Sequence, residues 1–205
     1  MRRDIYTALY AAVLGTVCAL LLTAASVQLK PYQQANRKAE RVRNILGVLD
    51  VPFDKKAPWA ELEGVYRRNV RIDGNGANEL YNRIDPEGEV LSVGVPLSGR
   101  GRNGPIQGFL ALAPDMRTIR GITFYEHEET PGLGGEIENE QFRKKFIGKR
   151  IAGEGRIGIR ITRPGGAAGD GQVDGITGAT MTCRRVERML NDRIGVIVAE
   201  AGHGG

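Results

Sequence analysis

The sequence predicts an α+β fold, in which a single apolar N-terminal helix precedes twisted, mostly antiparallel strands with helices packed on them. Three observations predict this fold. The stretch from Ile5 to Leu29 contains no Asp, Glu, Lys or Arg. Short apolar runs separated by Gly- and Pro-containing turns, typical of strands, recur from Glu63 to Ile161. Apolar residues at helical spacing then run from Met181 to about Ala199.

The composition is that of an ordinary globular protein with an unusual amount of glycine. The chain has 205 residues, of which 41% are hydrophobic, 26% are charged and 29 are glycine. The net charge of +5 is spread along the chain, which favours solubility and membrane-surface affinity over nucleic-acid binding. The sequence has two cysteines, Cys18 and Cys183, and no disulfide framework is expected. It also indicates neither a metal site nor catalytic residues.

The uncharged run predicts a membrane anchor over residues 1–30. Its length of about 25 residues is enough to cross a hydrocarbon core of roughly 30 Å. A cleaved signal peptide is the alternative, because Arg2 and Arg3 precede the run and Ala24-Ala25-Ser26 are small. The run exceeds a usual signal-peptide core, which favours the uncleaved anchor. Basic residues flank both ends, so the positive-inside rule leaves the orientation open.

The rest of the chain divides into three predicted segments. Residues 31–58 are a juxtamembrane stalk, with a helix over Tyr32–Leu49 and a break closed by Pro52 and Pro58. Residues 59–200 are the folded domain, and residues 201–205 form a frayed glycine-rich tail.

Strands are predicted where apolar residues alternate. The first of these runs is Val65-Tyr66. The glycine-rich loop Gly99–Pro105 is interpreted as an ordinary surface loop, because it matches no phosphate-loop pattern. A turn at Pro114–Arg117 joins two longer runs into a hairpin. The two hairpin strands are Ile106–Ala113 and Ile119–Tyr125. The other predicted strands are Val70–Ile72, Leu80-Tyr81, Glu89–Val95 and a strand through the alternating Ile151, Ile157, Ile159 and Ile161.

The loop that follows the hairpin, His127–Gly135, is the first candidate site. His127 beside two carboxylates is compatible with an acid/base pair or half a metal site, but a surface imidazole is the favoured interpretation. Thr130 and the glycine-rich backbone suit hydrogen bonds to a planar ligand, and Leu133 suits packing on a ring face. A short helix with Phe142 and Phe146 in the core is predicted next, over Glu138–Phe146.

The second candidate site is the stretch from Asp174 to Thr180, Asp-Gly-Ile-Thr-Gly-Ala-Thr. It leads directly into the C-terminal helical pattern, so the Thr180 hydroxyl is expected in the first turn of a helix. Backbone N–H groups and the positive end of the helix dipole suit a phosphate there. From the motif alone, an ordinary turn and helix cap made by Thr177 or Thr180 is the favoured interpretation.

Together the two stretches resemble one protein family. His-Glu-Glu-Thr-Pro-Gly-Leu-Gly-Gly at 127–135 and the motif at 174–180 are similar to the paired signatures of the covalent-flavin domain. That domain occurs in the C subunit of the sodium-translocating NADH:quinone reductase and in the G subunit of the Rnf complex. The anchor, Leu29-Lys30-Pro31 and Gly108–Asp115 also resemble the C subunit of the reductase. Cys183 departs from the family, which commonly has Ser at that position.

The resemblance implies that Thr180 carries covalent FMN through a phosphoester bond, attached by a separate flavin transferase. Two groups of residues are implied to bind the cofactor or to present the site to the transferase. They are Asp174, Gly175, Thr177, Gly178 and Ala179 around the attachment point, and Glu129, Thr130, Leu133 and Gly134 along the flavin ring.

The implied function is electron relay within a multi-subunit membrane reductase. The sequence contains neither a dinucleotide fingerprint nor an iron–sulfur Cys cluster, so NADH oxidation is assigned to partner subunits. The resemblance places the flavin domain on the outer side of the bacterial cytoplasmic membrane. The alternatives are the G subunit of an Rnf-type complex and a membrane-anchored flavin-binding regulatory module.

Overall fold

The structure is a computed structural model that describes residues 2–76, 79–153 and 156–202. It contains two compact units, Met1–Glu40 and Arg41–Gly205. The predicted division at residues 30, 58 and 200 stays a prediction. The α+β class and the single long N-terminal helix are confirmed.

Helix α1 runs over Arg2–Val48 and contains Pro31. Its most apolar window of 18 residues has a mean hydropathy of 2.1, and this helix is long and apolar enough to cross a membrane. The hydroxyls of Thr16 and Thr23 donate to the carbonyls of Ala12 and Ala19, at 2.8 and 2.7 Å. The hydroxyls of these two threonines are therefore satisfied within the helix, as a nonpolar surrounding requires.

Five strands in the second unit form an antiparallel meander. They are β1 Val70–Asp73, β2 Leu80–Ile84, β3 Val90–Arg100, β4 Pro105–Leu112 and β5 Ile119–His127, in the order β1-β2-β3-β4-β5. The predicted β4–β5 hairpin is confirmed. Its turn is fixed by the Asp115 carboxylate, which accepts the backbone N–H groups of Arg117 and Thr118 at 2.8 and 2.9 Å.

Helices pack on this sheet, and two apolar clusters form between them and the strands. One cluster joins β3, β4 and β5 to the C-terminal helix through residues such as Leu110, Phe124, Val186 and Ile194. The other joins the sheet to the end of α1 through Leu46, Leu49 and Phe109 among others. The sheet therefore buries both faces, which explains why β4 reads as a nearly continuous apolar run.

The predicted strand at Val65-Tyr66 is wrong. These residues belong to helix α2, Trp59–Asn69, which follows Pro58 and carries Glu61 in its first turn and Arg67 and Arg68 in its last. Leu62 is fully buried and Val65 and Tyr66 pack beside it, which is the i, i+3, i+4 spacing of a helix. This amphipathic pattern and the charges that complement the helix dipole favour a helix here, and they outweigh the intrinsic β propensity of Val and Tyr.

The helix predicted over Glu138–Phe146 is shorter than expected. A 3-10 helix spans Gly134–Glu138, and α3 covers only Glu140–Lys144, capped by the Asn139 side chain. The prediction that Phe142 and Phe146 lie in the core is confirmed, with 3% and 0% exposure. Their rings make an edge-to-face contact at 5.3 Å.

The isoleucine alternation after α3 does not form one strand. The segment contains β6 Ala152–Gly153, β7 Arg156–Ile157 and β8 Arg160–Thr162, with Ile151 and Ile159 outside these strands, and β8 pairs in parallel with β9 Gln172–Asp174. Gly158, with φ +108°, interrupts the extended backbone, and as a result Ile157 is 58% exposed while Ile159 is buried.

Helix α4 runs over Thr180–Gly202 and confirms the predicted C-terminal helix. Val186, Met189, Leu190, Ile194 and Ile197 are buried as their spacing predicts. Met181 was expected in the same face but is 48% exposed, because it lies five residues before Val186 and so on the other side of the helix, whereas Thr182 and Cys183 in the same turn are buried. The helix ends at Gly202, inside the predicted tail, and residues 203–205 lie outside the described residues.

Candidate functional site

The Asp174–Thr180 motif forms the turn between β9 and α4. Asp174 is the last residue of β9, and α4 begins at Thr180. Gly178 takes the left-handed conformation, with φ +77°, and the N–H of Ala179 donates to the carbonyl of Ile176 at 3.2 Å. The Thr177 and Thr180 side chains are exposed. An accessible hydroxyl therefore lies in the first turn of a long helix, as expected.

The Asp174 carboxylate is used within the protein. It accepts the backbone N–H of Ala167 at 2.9 Å. This hydrogen bond lowers the pKa of Asp174, and the charge of Lys145 lowers it further against the opposing effect of desolvation. The next residue, Gly175, donates its N–H to the Thr162 carbonyl at 3.0 Å. Both residues thus hold the motif against the preceding loop and strand.

The His127–Gly135 loop begins where β5 ends. The carbonyl of Thr130 accepts the N–H groups of Leu133 at 3.1 Å and Gly135 at 2.9 Å, which folds the loop back into the 3-10 helix. Leu133 is 43% exposed although it is apolar. The Nε2 atom of His127 lies 3.5 Å from Oε2 of Glu138, while its Nδ1 accepts the Glu129 N–H at 3.3 Å.

The two predicted motifs meet in the structure. A Cβ atom added at Gly178 would lie 2.9 Å from Cδ2 of Leu133. Gly134 is equally crowded, since a Cβ there would lie 2.6 Å from Oγ1 of Thr182. Leu133 therefore lies beside the turn that carries the hydroxyl of Thr180. Leu133 and Met181 are both about half exposed.

Glu129 joins three segments of the chain at this place. The residue is only 5% exposed. Its Oε2 accepts the hydroxyl of Thr182 at 2.5 Å, and its Oε1 accepts the backbone N–H groups of Arg102 at 2.6 Å and Asn103 at 3.1 Å. One carboxylate therefore ties the 101–104 loop and the first turn of α4 to the loop that carries Leu133.

The ionised form of Glu129 is favoured by these contacts. Burial raises the pKa of Glu129, but the hydrogen bonds from Thr182 and from the backbone of Asn103 and Arg102 outweigh it, and the pKa lies below its ordinary value. A buried carboxylate that accepts several hydrogen bonds is costly to protonate or remove.

The pH dependence of stability follows from this lowered pKa. The stabilisation is fully present above the ordinary pKa of about 4.5 and is lost as the pH falls through the lower pKa of the folded state. We expect urea unfolding of Glu129→Gln to lose part of the fall in stability that the unchanged protein shows between about pH 5 and pH 3. Equal slopes for the two proteins would contradict the role given to the ionised carboxylate.

Sequence reasoning missed two parts of this arrangement. The predicted surface loop Gly99–Pro105 is shorter than expected, because β3 extends to Arg100 and β4 begins at Pro105, and its remaining residues 101–104 contact Glu129. The sequence also did not single out Thr182, which is 2% exposed. The available signal was a Thr in the first turn of an amphipathic helix together with a glycine-dense loop. Asn103 also donates its side-chain N–H to the Thr130 hydroxyl at 3.1 Å.

The close contact at Gly178 gives a further expected result. Gly178→Ala should destabilise the fold by about 1–2 kcal/mol, because Ala is strained at this φ and its Cβ meets Leu133. Gly88→Ala is the matched control, since Gly88 has φ +89° with nothing within 4 Å of an added Cβ. Chemical denaturation of both variants measures the difference, and an equal loss would show that Leu133 does not constrain position 178.

Comparison with known proteins defines the class to which this fold and site belong. Residues 101–195 match the family model of the FMN-binding domain, so the chain is an FMN-binding-domain protein with a long apolar N-terminal helix. It is 31% identical to the C subunit of the Na(+)-translocating NADH-quinone reductase of Yersinia pestis, over 92% of this chain and 88% of that protein. The chain belongs to the family formed by the C subunits of this reductase.

Solved structures agree with this assignment. The chain is similar to the crystal structure of Shewanella oneidensis NqrC, with a TM-score of 0.69 and 26% identity over 80% of this chain and 94% of that one. The C subunit of the reductase from Parabacteroides distasonis gives the same TM-score, with 25% identity over 83% of this chain and 95% of that one. The Haemophilus ducreyi relative is 28% identical over 85% of this chain and 83% of that protein.

Proposed function

We propose that this chain is an electron-transfer subunit of a membrane-bound Na+-translocating NADH:quinone reductase and relays electrons through FMN joined to Thr180 by a phosphoester. The observation that carries this proposal is the exposed Thr180 hydroxyl in the first turn of α4, within the region matched by the FMN-binding domain. A phosphodiester there keeps one negative charge, which the helix N-terminus stabilises.

The side chains near Thr180 suit a flavin in polarity. Leu133 offers an exposed apolar side chain for a ring face, and Gly134 and Gly178 let the two motifs pack closely, since a Cβ at these positions would meet Thr182 and Leu133. The exposed Thr130 hydroxyl can bond to polar ring atoms. FMN, when bound, supplies the chemistry of passing electrons between two-electron and one-electron carriers, and the protein positions it and sets its exposure.

Five motif residues before Thr180 present its hydroxyl to a transferase in two ways. Asp174 and Gly175 hold the turn through backbone hydrogen bonds, while Thr177, Gly178 and Ala179 leave the approach to Thr180 unhindered. We assign these five residues to recognition by the flavin transferase. Glu129 belongs to the site as support behind the loop, since its carboxylate is occupied by Thr182 and the 101–104 backbone.

The remaining parts of the proposal concern the assembly. Helix α1 serves as a single-pass anchor in the cytoplasmic membrane of a bacterial cell, and the flavin domain lies on its periplasmic, outer side. Other subunits oxidise NADH, and this chain is not catalytic toward NADH alone. The names of the relatives above support the C subunit of the quinone reductase over the G subunit of an Rnf-type complex or a regulatory module.

The electron-relay proposal is tested in membranes that contain the whole reductase. NADH should reduce the flavin of this chain, followed by its absorbance, and quinone reduction should fail in membranes that lack only this chain. A flavin that stays oxidised while quinone is reduced at the full rate would exclude the relay function.

A further inference from the structure

A large open cavity lies on the Arg41–Gly205 unit, apart from the candidate flavin site. Its volume is about 1090 Å³. It is lined by the last turns of α1, the beginning of β5 and one side of α3, and none of the residues proposed for the flavin lines it. The lining reaches Thr123 in the middle of β5, which is roughly 13 Å from His127 at the usual rise per residue.

The cavity is strongly basic. Two acidic side chains, Asp50 and Glu140, line it together with six basic ones, a surplus of four positive charges in a chain whose net charge is +5. The basic residues are Arg43, Lys55, Arg83, Arg120, Arg143 and Lys144. A concentration of one sign of charge in a concave site raises the local potential and attracts anions.

Only part of this charge is neutralised within the protein. Arg83 pairs with the Asp50 carboxylate at 3.8 Å and also donates to the carbonyls of Leu49 and Asp50, and Lys144 pairs with Glu140 at 2.7 Å. No ion pair is formed by three guanidinium groups within the described part of the chain, those of Arg43, Arg120 and Arg143. The cavity therefore presents planar donors that suit carboxylates or phosphates.

Two of these groups have unused donors. The Nε atoms of Arg43 and Arg143 are buried and have no hydrogen-bond partner among the residues that the structure describes. Arg43 uses another nitrogen, Nη2, to donate to the Ala57 carbonyl at 3.2 Å. These two N–H groups are closed to a ligand as well as to water, so an anion would bond to the other nitrogens of the two half-buried side chains.

The size and chemistry of the cavity favour a protein segment. The cations come from α1, the residue 55 turn, β5 and α3, so a ligand must carry several anionic groups to meet them. The cavity also exposes Leu91 and Ile147, which can contact the apolar side chains that a protein segment carries beside its carboxylates. We propose that this cavity binds an acidic segment of a partner polypeptide through carboxylates that pair with Arg43, Arg120 and Arg143.

A charge-matched pair of variants tests this proposal in the full-length, detergent-solubilised chain. The double variant Lys55→Glu with Arg120→Glu changes two exposed residues of the cavity, and Arg68→Glu with Arg188→Glu makes the same charge change on exposed residues elsewhere. Fluorescent poly-glutamate is the probe. We expect the cavity variant to bind it about tenfold more weakly than the unchanged chain and the control variant to stay within about twofold.

Three outcomes would overturn the proposal. Equal losses in both double variants would reduce the binding to the overall charge. Stronger binding of phosphatidylglycerol vesicles than of the peptide, lost in the cavity variant alone, would identify a lipid site instead.

A cross-linking experiment in the assembled complex gives the third outcome. A photoreactive residue in place of Arg120 should cross-link to a carboxylate-rich peptide, and cross-links to a segment without carboxylates would contradict the proposal. The binding assay needs no flavin, so its failure leaves the electron-relay proposal untouched.

Discussion

Thr180→Val should abolish the yellow-green fluorescence of this protein on a denaturing gel. Valine has nearly the shape of threonine, and Thr180 is exposed in the first turn of α4, so the fold should be unaffected. What the variant lacks is the hydroxyl that a phosphoester requires. The measurement is ultraviolet fluorescence of the full-length chain after production with a flavin transferase, and we expect loss of essentially all of the signal.

Two control variants make this result specific. Thr180→Ser keeps a hydroxyl at the same place and should retain the flavin. Thr177→Val removes the other exposed hydroxyl of the motif and should also retain it. A fluorescent Thr180→Val band would show that the flavin is attached at another residue. A band of the unsubstituted protein without fluorescence would show that this chain carries no covalent flavin.

Glu129→Ala should be the most destabilising single change at the site, by about 3–5 kcal/mol. The change leaves the hydroxyl of Thr182 and the N–H groups of Arg102 and Asn103 without their acceptor, and it opens a space in a region where Glu129 is 5% exposed. Thr182→Val, which breaks only the first of these hydrogen bonds, should cost about 1–3 kcal/mol because it leaves part of a buried charge unsatisfied.

Urea unfolding at neutral pH measures both effects. Because the two residues share one hydrogen bond, the double variant should be less destabilised than the sum of the single variants. Thr182→Ser is the control, since it keeps the hydroxyl and should recover most of the stability. Additive losses, or a Glu129→Ala variant as stable as the unchanged protein, would show that the carboxylate does not join the three segments.

The sheet was predictable because its signals are local. Two apolar runs joined by an Asp-containing turn define the β4–β5 hairpin, and the helical spacing of Val186, Leu190 and Ile194 defines α4. Val65-Tyr66 was misassigned because two β-favouring residues were judged without the buried Leu62 three and four positions before them. In that segment the tertiary contact, and not the intrinsic propensity, decides the structure.

The site was predictable only in part. The two motifs can be found in the sequence because their glycines and threonines are unusual at that density. The meeting of Leu133 with Gly178 and the capture of the 101–104 backbone by Glu129 depend on contacts between residues distant in the chain. Such contacts leave no spacing or periodicity in one sequence, so the Thr at position 182 and the glycine-dense loop are visible in it, but their meeting at Glu129 is not.

Mass spectrometry of the tryptic peptide that contains Thr180 tests the central claim most directly. The peptide should be isolated from the full-length chain after production with the flavin transferase. It should carry the added mass of FMN less one water, and fragmentation should place that mass on Thr180. An unmodified peptide, or the added mass on Thr177 or any other residue, would contradict the assignment of Thr180 as the point of flavin attachment.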